Sequence, residues 1–376
     1  MTGNIRDILA CCSALPGQYK GTHRRLQQLL ERLPEPKALL HKAIQEGMGG
    51  LLYQHLRKSG LLDRFDEPLR TSLESAYHRI AGDNLRLLHN FRLVLDALNH
   101  RELPVMVLQG MALLDRYGDI GLRPMNDIDL WIQARDFPRI DSLLTDLGYR
   151  KDSLYPGSYR KDSTKLDLRS HLFWADRIRS RRYLLAVDQE KIFSNGKGFR
   201  VEGRPARRLG PHDEVIYLAM HAIKHFATCL IWLVDLRLIT TGWTDQDWEQ
   251  CLNRAVQLGQ PNIASIAVFL LTDLFGPYGF SAPQGPAGEP KLNSLQKVIL
   301  KQRKKSGALP EWAPLFLFET GGRLKNRLQY QMENLLPRPD VLRQVFPSHR
   351  RSHCWLLYGM RFVQLYGKAI RTITSR

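Results

Sequence analysis

The chain has 376 residues, 43% apolar and 24% charged, which is ordinary for a globular protein with a real core and long enough for two or three domains. Its formal charge of +18 is not ordinary, and it is unevenly placed: residues 291–376 hold 17 Lys/Arg against 4 Asp/Glu. A basic C-terminal third implies a polyanionic partner (nucleic acid, an anionic membrane surface or a phosphorylated substrate), or else a solvated basic surface that aids solubility. Cys11, Cys12, Cys229, Cys251 and Cys354 are odd in number and lack Cys-x-x-Cys spacing, which argues against a disulfide framework and a zinc site and fits a reducing compartment. With no signal-like N-terminus and no run of roughly 18 apolar residues, the expectation is a cytoplasmic protein without a transmembrane segment.

Residues 1–100 read as a helical region, with Leu26, Leu29, Leu30 and Leu33 and then Leu85, Leu87, Leu88, Phe91, Leu93, Leu95 and Leu98 at helical spacing. The period changes at Leu103-Pro104-Val105-Met106-Val107-Leu108, a short buried strand, followed by Gly110 and a helical stretch Met111 to Arg116. Leu130-Trp131-Ile132 continues a second strand. Asp136 is expected to cap a helix running to about Leu147 and ended by Gly148, and Tyr149 begins another extended segment. Thr164 to Leu168 alternates as a strand. Residues 101–205 therefore form a mixed α/β core. A helical domain over 206–285 follows, with one helical stretch from His212 to Leu238 and another from Trp243 to Gly259, N-capped by Thr244 with Asp247 three residues on. Pro277 to Pro290 reads as a linker or long loop, and 286–376 as a basic, mainly helical region of short segments interrupted by Pro310, Pro337, Pro339 and Pro347. Cys354 to Tyr366 is amphipathic and aromatic; packing on a neighbouring helix is the favoured reading over contact with a membrane surface.

The most informative stretch is Leu122-Arg123-Pro124-Met125-Asn126-Asp127-Ile128-Asp129-Leu130. Two carboxylates two residues apart point to the same side of a strand. They repel each other and lose hydration unless a cation neutralises them, and hard oxygen donors suit Mg²⁺ or Mn²⁺. Asp167 on a later strand supplies a third carboxylate, enough to hold the ions of a two-metal transfer while a triphosphate completes the coordination. Gly110 lets the backbone approach phosphates, the N–H groups that open the next helix face them, and Arg123 is placed to pair with phosphate oxygens or substrate. The plain alternatives are two surface acids, a glycine that merely begins a helix, and an Asp167 paired with Lys165 or Arg169. His221, Lys224 and His225 share one helix face, either towards the cleft or in a polar patch between domains with Asp235 as partner.

These residues resemble an uncharacterised bacterial nucleotidyltransferase-like family of the polymerase-β-like superfamily. The family pattern is an apolar strand ending Lys-Gly, an Ala-containing helix, a Tyr, then Leu-Arg-Pro-x-x-Asp-Ile-Asp-Leu. It is matched by Val107-Leu108-Gln109-Gly110-Met111-Ala112, Tyr117, and Leu122 to Leu130. Leu166-Asp167-Leu168-Arg169-Ser170-His171, His221-Ala222-Ile223-Lys224-His225, Trp232-Leu233-Val234-Asp235 and Phe346-Pro347-Ser348 are similar to later family segments, so the resemblance runs from about residue 20 onward. It implies an α+β fold: a polymerase-β-like core of mixed sheet and helices, flanked by mainly helical regions. It implies Asp127, Asp129 and Asp167 as catalytic metal ligands, with Gln109, Gly110, Met111, Arg123, His221, Lys224 and His225 as candidate nucleotide contacts. The departures are Gln109 for the usual Lys, Met111 for the superfamily's usual Ser, and Arg169 where a His is expected.

The leading expectation is a metal-dependent enzyme moving a nucleoside monophosphate from an NTP such as ATP to an acceptor: RNA, a protein or a small molecule, phosphorylated ones included. The alternatives are a catalytically degenerate fold that binds nucleic acid or a partner, motivated by Gln109, and a peripheral membrane component of surface-polysaccharide assembly, motivated by the aromatic, basic C-terminus.

Overall fold

The computed structural model describes residues 2–13, 22–284 and 292–374. Four helices open the chain: α1 (Thr2–Cys11), α2 (His23–Glu31), α3 (Pro36–Gln45) and α4 (Gly49–Lys58). The 34-residue α5 (Glu67–His100) follows, started by Asp66, whose side chain accepts from Leu69 N–H, with Pro68 in the first turn. Its first half packs Leu69 and Leu73 with α3 and α4, and its second half packs Leu87, Leu88, Phe91, Leu95 and Leu98 against the sheet. Leu85 and Leu93, eight residues apart, fall off that stripe and lie on the exposed face.

The sheet comes next: β1 (Val105–Leu108), α6 (Gln109–Tyr117), β2 (Ile128–Ile132), α7 (Phe137–Asp146), β3 (Arg150–Lys151), β4 (Ser158–Lys161), β5 (Thr164–Arg169), α8 (Gln189–Ser194), β6 (Lys197–Val201) and β7 (Arg204–Arg208). The strands form one mixed seven-stranded sheet in the order β3-β4-β5-β2-β1-β7-β6, in which β1 is antiparallel to β2 and β2 is parallel to β5. Ile128, Leu130 and Ile132 of β2 and Leu166 and Leu168 of β5 face α5 and α7 in one core. The alternate residues Asp129 and Trp131, and Lys165, Asp167 and Arg169, therefore face the other way. Gly148 ends α7 with a φ of 82°, as expected. Asp136 does not cap it: the residue closes a short 3₁₀ turn over Ala134–Asp136 and its side chain makes no capping bond.

The helical half contains α9 (Pro211–Lys224), α10 (Leu230–Ile239), α11 (Asp245–Gln257) and α12 (Ile263–Phe275). The single helix expected from His212 to Leu238 is two, because Phe226 and Ala227 take left-handed φ values of 60° and 47°. Contacts distant in sequence hold the break. Phe226 O accepts from Leu309 N, and Glu46 Oε2 accepts from Leu230 N at 2.8 Å at the start of α10. Thr244 and Asp247 form the expected capping box on α11. Of the expected loop from Pro277 to Pro290, residues 285–290 lie outside the described residues; Gly276–Tyr278 is a 3₁₀ turn.

The C-terminal region carries α13 (Ser294–Ser306), α14 (Pro314–Leu317), α15 (Leu324–Leu335), α16 (Pro339–Val345) and α17 (Cys354–Thr374). Leu357 of α17 is buried, but Trp355, Phe362, Val363 and Tyr366 are exposed, so among its described side chains the helix leaves an aromatic face uncovered.

One buried ion pair ties the sheet to the helical half. Arg123 Nη2 lies 2.7 Å from Asp235 Oδ2 and Nε 3.0 Å from Oδ1, and Tyr117 Oη donates to the same carboxylate at 2.7 Å. Arg123 is buried and Asp235 completely so. Burial works against the guanidinium, but Asp235 outweighs it and raises its pKa. Removing one partner strands the other in a low-dielectric interior. Asp235→Ala is expected to cost about 3 to 5 kcal/mol of unfolding free energy, measured by urea denaturation, while a surface control such as Asp83→Ala stays within about 0.5 kcal/mol.

Candidate active site

A cleft of about 950 Å³ opens between the sheet and the helical half, lined in part by Gln109, Arg123, Asp127, Asp129, Asp167, His221, Lys224 and His225. Its floor is built by strand register. Asp129 of β2 stands opposite Asp167 of β5 in the parallel pair, and Asp127 lies two residues before Asp129 on the same side.

Cations already neutralise these carboxylates. Lys165 Nζ lies 2.6 Å from Asp167 Oδ2 and 3.1 Å from Asp127 Oδ2, and Arg169 Nη2 pairs with Asp129 Oδ1. Lys165, Asp167 and Arg169 alternate along β5, so one strand face presents a cation, an anion and a cation to the two acids of the next strand. Partial burial disfavours the Lys165 charge, yet Asp167 and Asp127 outweigh that effect and raise its pKa. Asp167 Oδ1 is buried without a hydrogen-bond partner, as are Nε and Nη1 of Arg169. Among the described residues no three His, Cys, Asp or Glu side chains form a ready-made metal cage.

The opposite wall is basic and aromatic. Trp174, which has a left-handed φ of 62°, carries Lys224 Nζ 3.6 Å and Arg169 Cζ 4.9 Å from its ring centre. Arg177 and Arg181 join them on the cleft wall. Burial, then Arg181, Arg169 and Arg177, depresses the Lys224 pKa well below the ordinary lysine value. The Arg177–Arg181 segment is held from behind by α15: Glu333 accepts from the backbone N–H groups of Arg179 at 2.9 Å and Ser180 at 2.7 Å.

The structure brings most of the expected residues together, with exceptions. Gly110 is buried and does not line the cleft; a Cβ there would lie 2.3 Å from Arg123 Nη1, so its missing side chain makes room for the guanidinium. Arg123 lines the cleft but is committed to Asp235, and Met111 packs in the core beneath the sheet. Asp235, considered as a partner for the histidine patch, pairs instead with Arg123 and Tyr117. Gln109 holds a left-handed φ of 55° at the cleft edge and donates from Nε2 to Tyr217 Oη at 3.1 Å. The residues missed from sequence are Trp174, Arg177 and Arg181. The four arginines within residues 177–182 were the available signal.

His221 and His225 face each other with ring centres 4.6 Å apart, and both rings meet Trp232. Burial, then the charges of Lys224, Arg169, Arg181 and Arg177, lowers the His225 pKa to about 3, and burial lowers that of His171 to about 4. A histidine held neutral in the folded state contributes stability above the unfolded pKa of about 6.5, and that stability is lost as pH falls towards the folded value. Unfolding free energy is therefore expected to decline between about pH 6.5 and pH 4. A His225→Gln variant should show a shallower decline in urea titrations over the same window.

In comparisons with known proteins, no curated protein matches the chain. The solution structure of the antibiotic-resistance factor ANT(2'')-Ia is similar at 16% identity, covering 45% of this chain and 90% of that one with a TM-score of 0.34. The crystal structure of ANT(2'')-Ia in complex with adenylyl-2''-tobramycin matches at 19% identity, 45% and 95% coverage and a TM-score of 0.33. An antigenic nucleotidyltransferase-like protein from Paracoccidioides brasiliensis matches at 12% identity, 49% and 88% coverage and a TM-score of 0.29. The model of one family, described as uncharacterised nucleotidyltransferase, matches residues 34–276, and the chain belongs to that family.

Proposed function

We propose that the protein transfers a nucleoside monophosphate from an NTP to an acceptor hydroxyl in this cleft, with a divalent cation held by Asp127, Asp129 and Asp167. The observation that carries the reading is the register pairing of Asp129 with Asp167, with Asp127 beside them, beneath a wall of Lys224, Arg177 and Arg181. The chemistry of the donors suits a hard cation, since three carboxylates share one face and Asp167 Oδ1 is buried without a partner, but they do not stand as a ready-made cage. Loading requires Lys165 and Arg169 to swing away from the carboxylates, which in the structure they neutralise. Once bound, the cation would lower the charge on the phosphates and on the attacking oxygen.

The chain's own residues account for the rest. Lys224, Arg177 and Arg181 form a preorganised polyanion wall, costly to bury without a counter-charge and therefore suited to a triphosphate. Lys224 from the helical half and Arg177 and Arg181 from the segment after β5 supply the positive charge that Gln109 does not supply next to Gly110. Asp167 accepts the proton of the acceptor hydroxyl. The new bond joins that oxygen to the α-phosphorus, the bond to the bridging oxygen of the β-phosphate breaks, and pyrophosphate leaves with inversion.

Purified protein incubated with labelled NTPs, Mg²⁺ or Mn²⁺ and cellular RNA, protein and metabolite fractions is expected to label one fraction. Asp127→Asn with Asp129→Asn should reduce labelling by about a thousandfold or more. Persistent labelling in that variant would remove the metal assignment. Arg181→Met and Lys224→Met are each expected to weaken ATP binding about tenfold by titration calorimetry, with folding checked by circular dichroism.

A second reading, a nucleotidyltransferase fold kept as a binding module, is favoured by Gln109 and by the Arg169–Asp129 pair. It requires that NTP binding be independent of divalent cations and that no fraction be labelled.

A further inference from the structure

We propose that the outward faces of α15 and α17 form a docking surface for an anionic lipid bilayer. Ten of the seventeen large apolar side chains exposed among the described residues fall between 324 and 366. On α15, Leu324, Leu328 and Met332 recur every fourth residue and each is more than half exposed; on α17, Trp355, Phe362 and Val363 form a second stripe, each about 70% exposed or more. The two helices are joined: Arg361 of α17 donates from Nε to Leu335 O at 3.0 Å and from Nη2 to Asn334 O at 2.9 Å, and Tyr358 Oη donates to Pro337 O at 3.1 Å. The two exposed stripes therefore lie on helices that meet at the end of α15. Uncovered apolar surface of this kind marks an interaction site.

The charge around the patch selects the occupant. Arg323, Lys325 and Arg327 stand exposed among the leucines of α15, and Arg350 and Arg351 stand exposed just before Trp355. Between residues 323 and 366 eight Lys/Arg face two acids, and one of these, Glu333, is turned inward to bind the Arg179 and Ser180 backbone. A second copy meeting this face would bring like charge against like charge. A nucleic acid would satisfy the cations but leave the leucines, methionine and valine uncovered. A bilayer with anionic headgroups satisfies both: basic side chains reach the phosphates while aliphatic and aromatic groups enter the acyl boundary, the geometry of an amphipathic helix lying in the interface. No helix among the described residues is long and apolar enough to cross a membrane, so the contact is peripheral.

Flotation of the full chain with vesicles tests the proposal. At low salt the protein is expected to float with phosphatidylcholine vesicles containing phosphatidylglycerol and not with pure phosphatidylcholine, and to be released as salt is raised. Trp355→Ser combined with Phe362→Ser and Val363→Ser should lower partitioning about tenfold or more, with an unchanged thermal melt and unchanged ATP binding, because all three side chains are exposed. The proposal is overturned if the wild type fails to float with phosphatidylglycerol vesicles, or if the triple variant partitions as the wild type does. A lipid-free dimer dissociated by the triple substitution would assign the face to a second copy instead. RNA binding lost through the same substitutions would assign it to nucleic acid.

Discussion

The Arg123–Asp235 pair decides where the two walls of the cleft stand. It joins the segment leading into β2 to α10, and it does so where neither charge can be replaced by water. Its surroundings are shaped to keep it. Tyr117 adds a donor to the carboxylate, and Gly110 withholds the one carbon that would collide with the guanidinium. A buried pair of this kind contributes little net stability compared with a packed apolar substitute. Its value is geometric, because it ties the segment before β2 to α10 and so helps set where α9 and its Lys224 stand relative to the sheet.

Within that frame the cleft has an unusual charge distribution. The floor is close to neutral, since Lys165 and Arg169 lie against Asp127, Asp167 and Asp129. The wall is not, since burial and then mutual repulsion work against the charges of Lys224 and Arg181, with Arg177 beside them. The site thus carries its electrostatic strain on the side where phosphates would lie and has relieved it on the side where a divalent cation would lie. On the proposed reading, a polyanion would meet the cations of the wall directly, whereas a divalent cation would have to compete with Lys165 and Arg169.

Much of this was legible in the sequence, for local reasons. The apolar run of β1, the alternation of β5 and the Thr244–Asp247 box are each determined by neighbours a few residues away, and they appeared where expected. The acids of β2 and β5 could be placed on one face because strand side chains alternate. Features set by distant contacts were not legible. No glycine or proline marks the break between α9 and α10; Leu309 and Glu46 hold it. Arg123 reads equally well as a phosphate ligand or as one half of an ion pair until Asp235, 112 residues away, is placed beside it. Gly110 could be singled out from sequence but its purpose could not, since that depends on which side chain fills the space it leaves. The strands β6 and β7 escaped because their basic sequences, Lys197–Val201 and Arg204–Arg208, lack an apolar rhythm.

Helix α15 has two occupied sides. Leu324, Leu328 and Met332 point outward, while Glu333 and the buried Tyr330 hold the segment that carries Arg177 and Arg181. A helix with its side chains is about 10 Å across, roughly one Debye length at physiological ionic strength. An enzyme resting on an anionic surface through this helix would therefore work inside the diffuse ion layer of that surface. Divalent cations and protons are enriched there and free nucleotide is depleted, so the concentrations that govern loading of the cleft would be those of the layer rather than of the bulk solution.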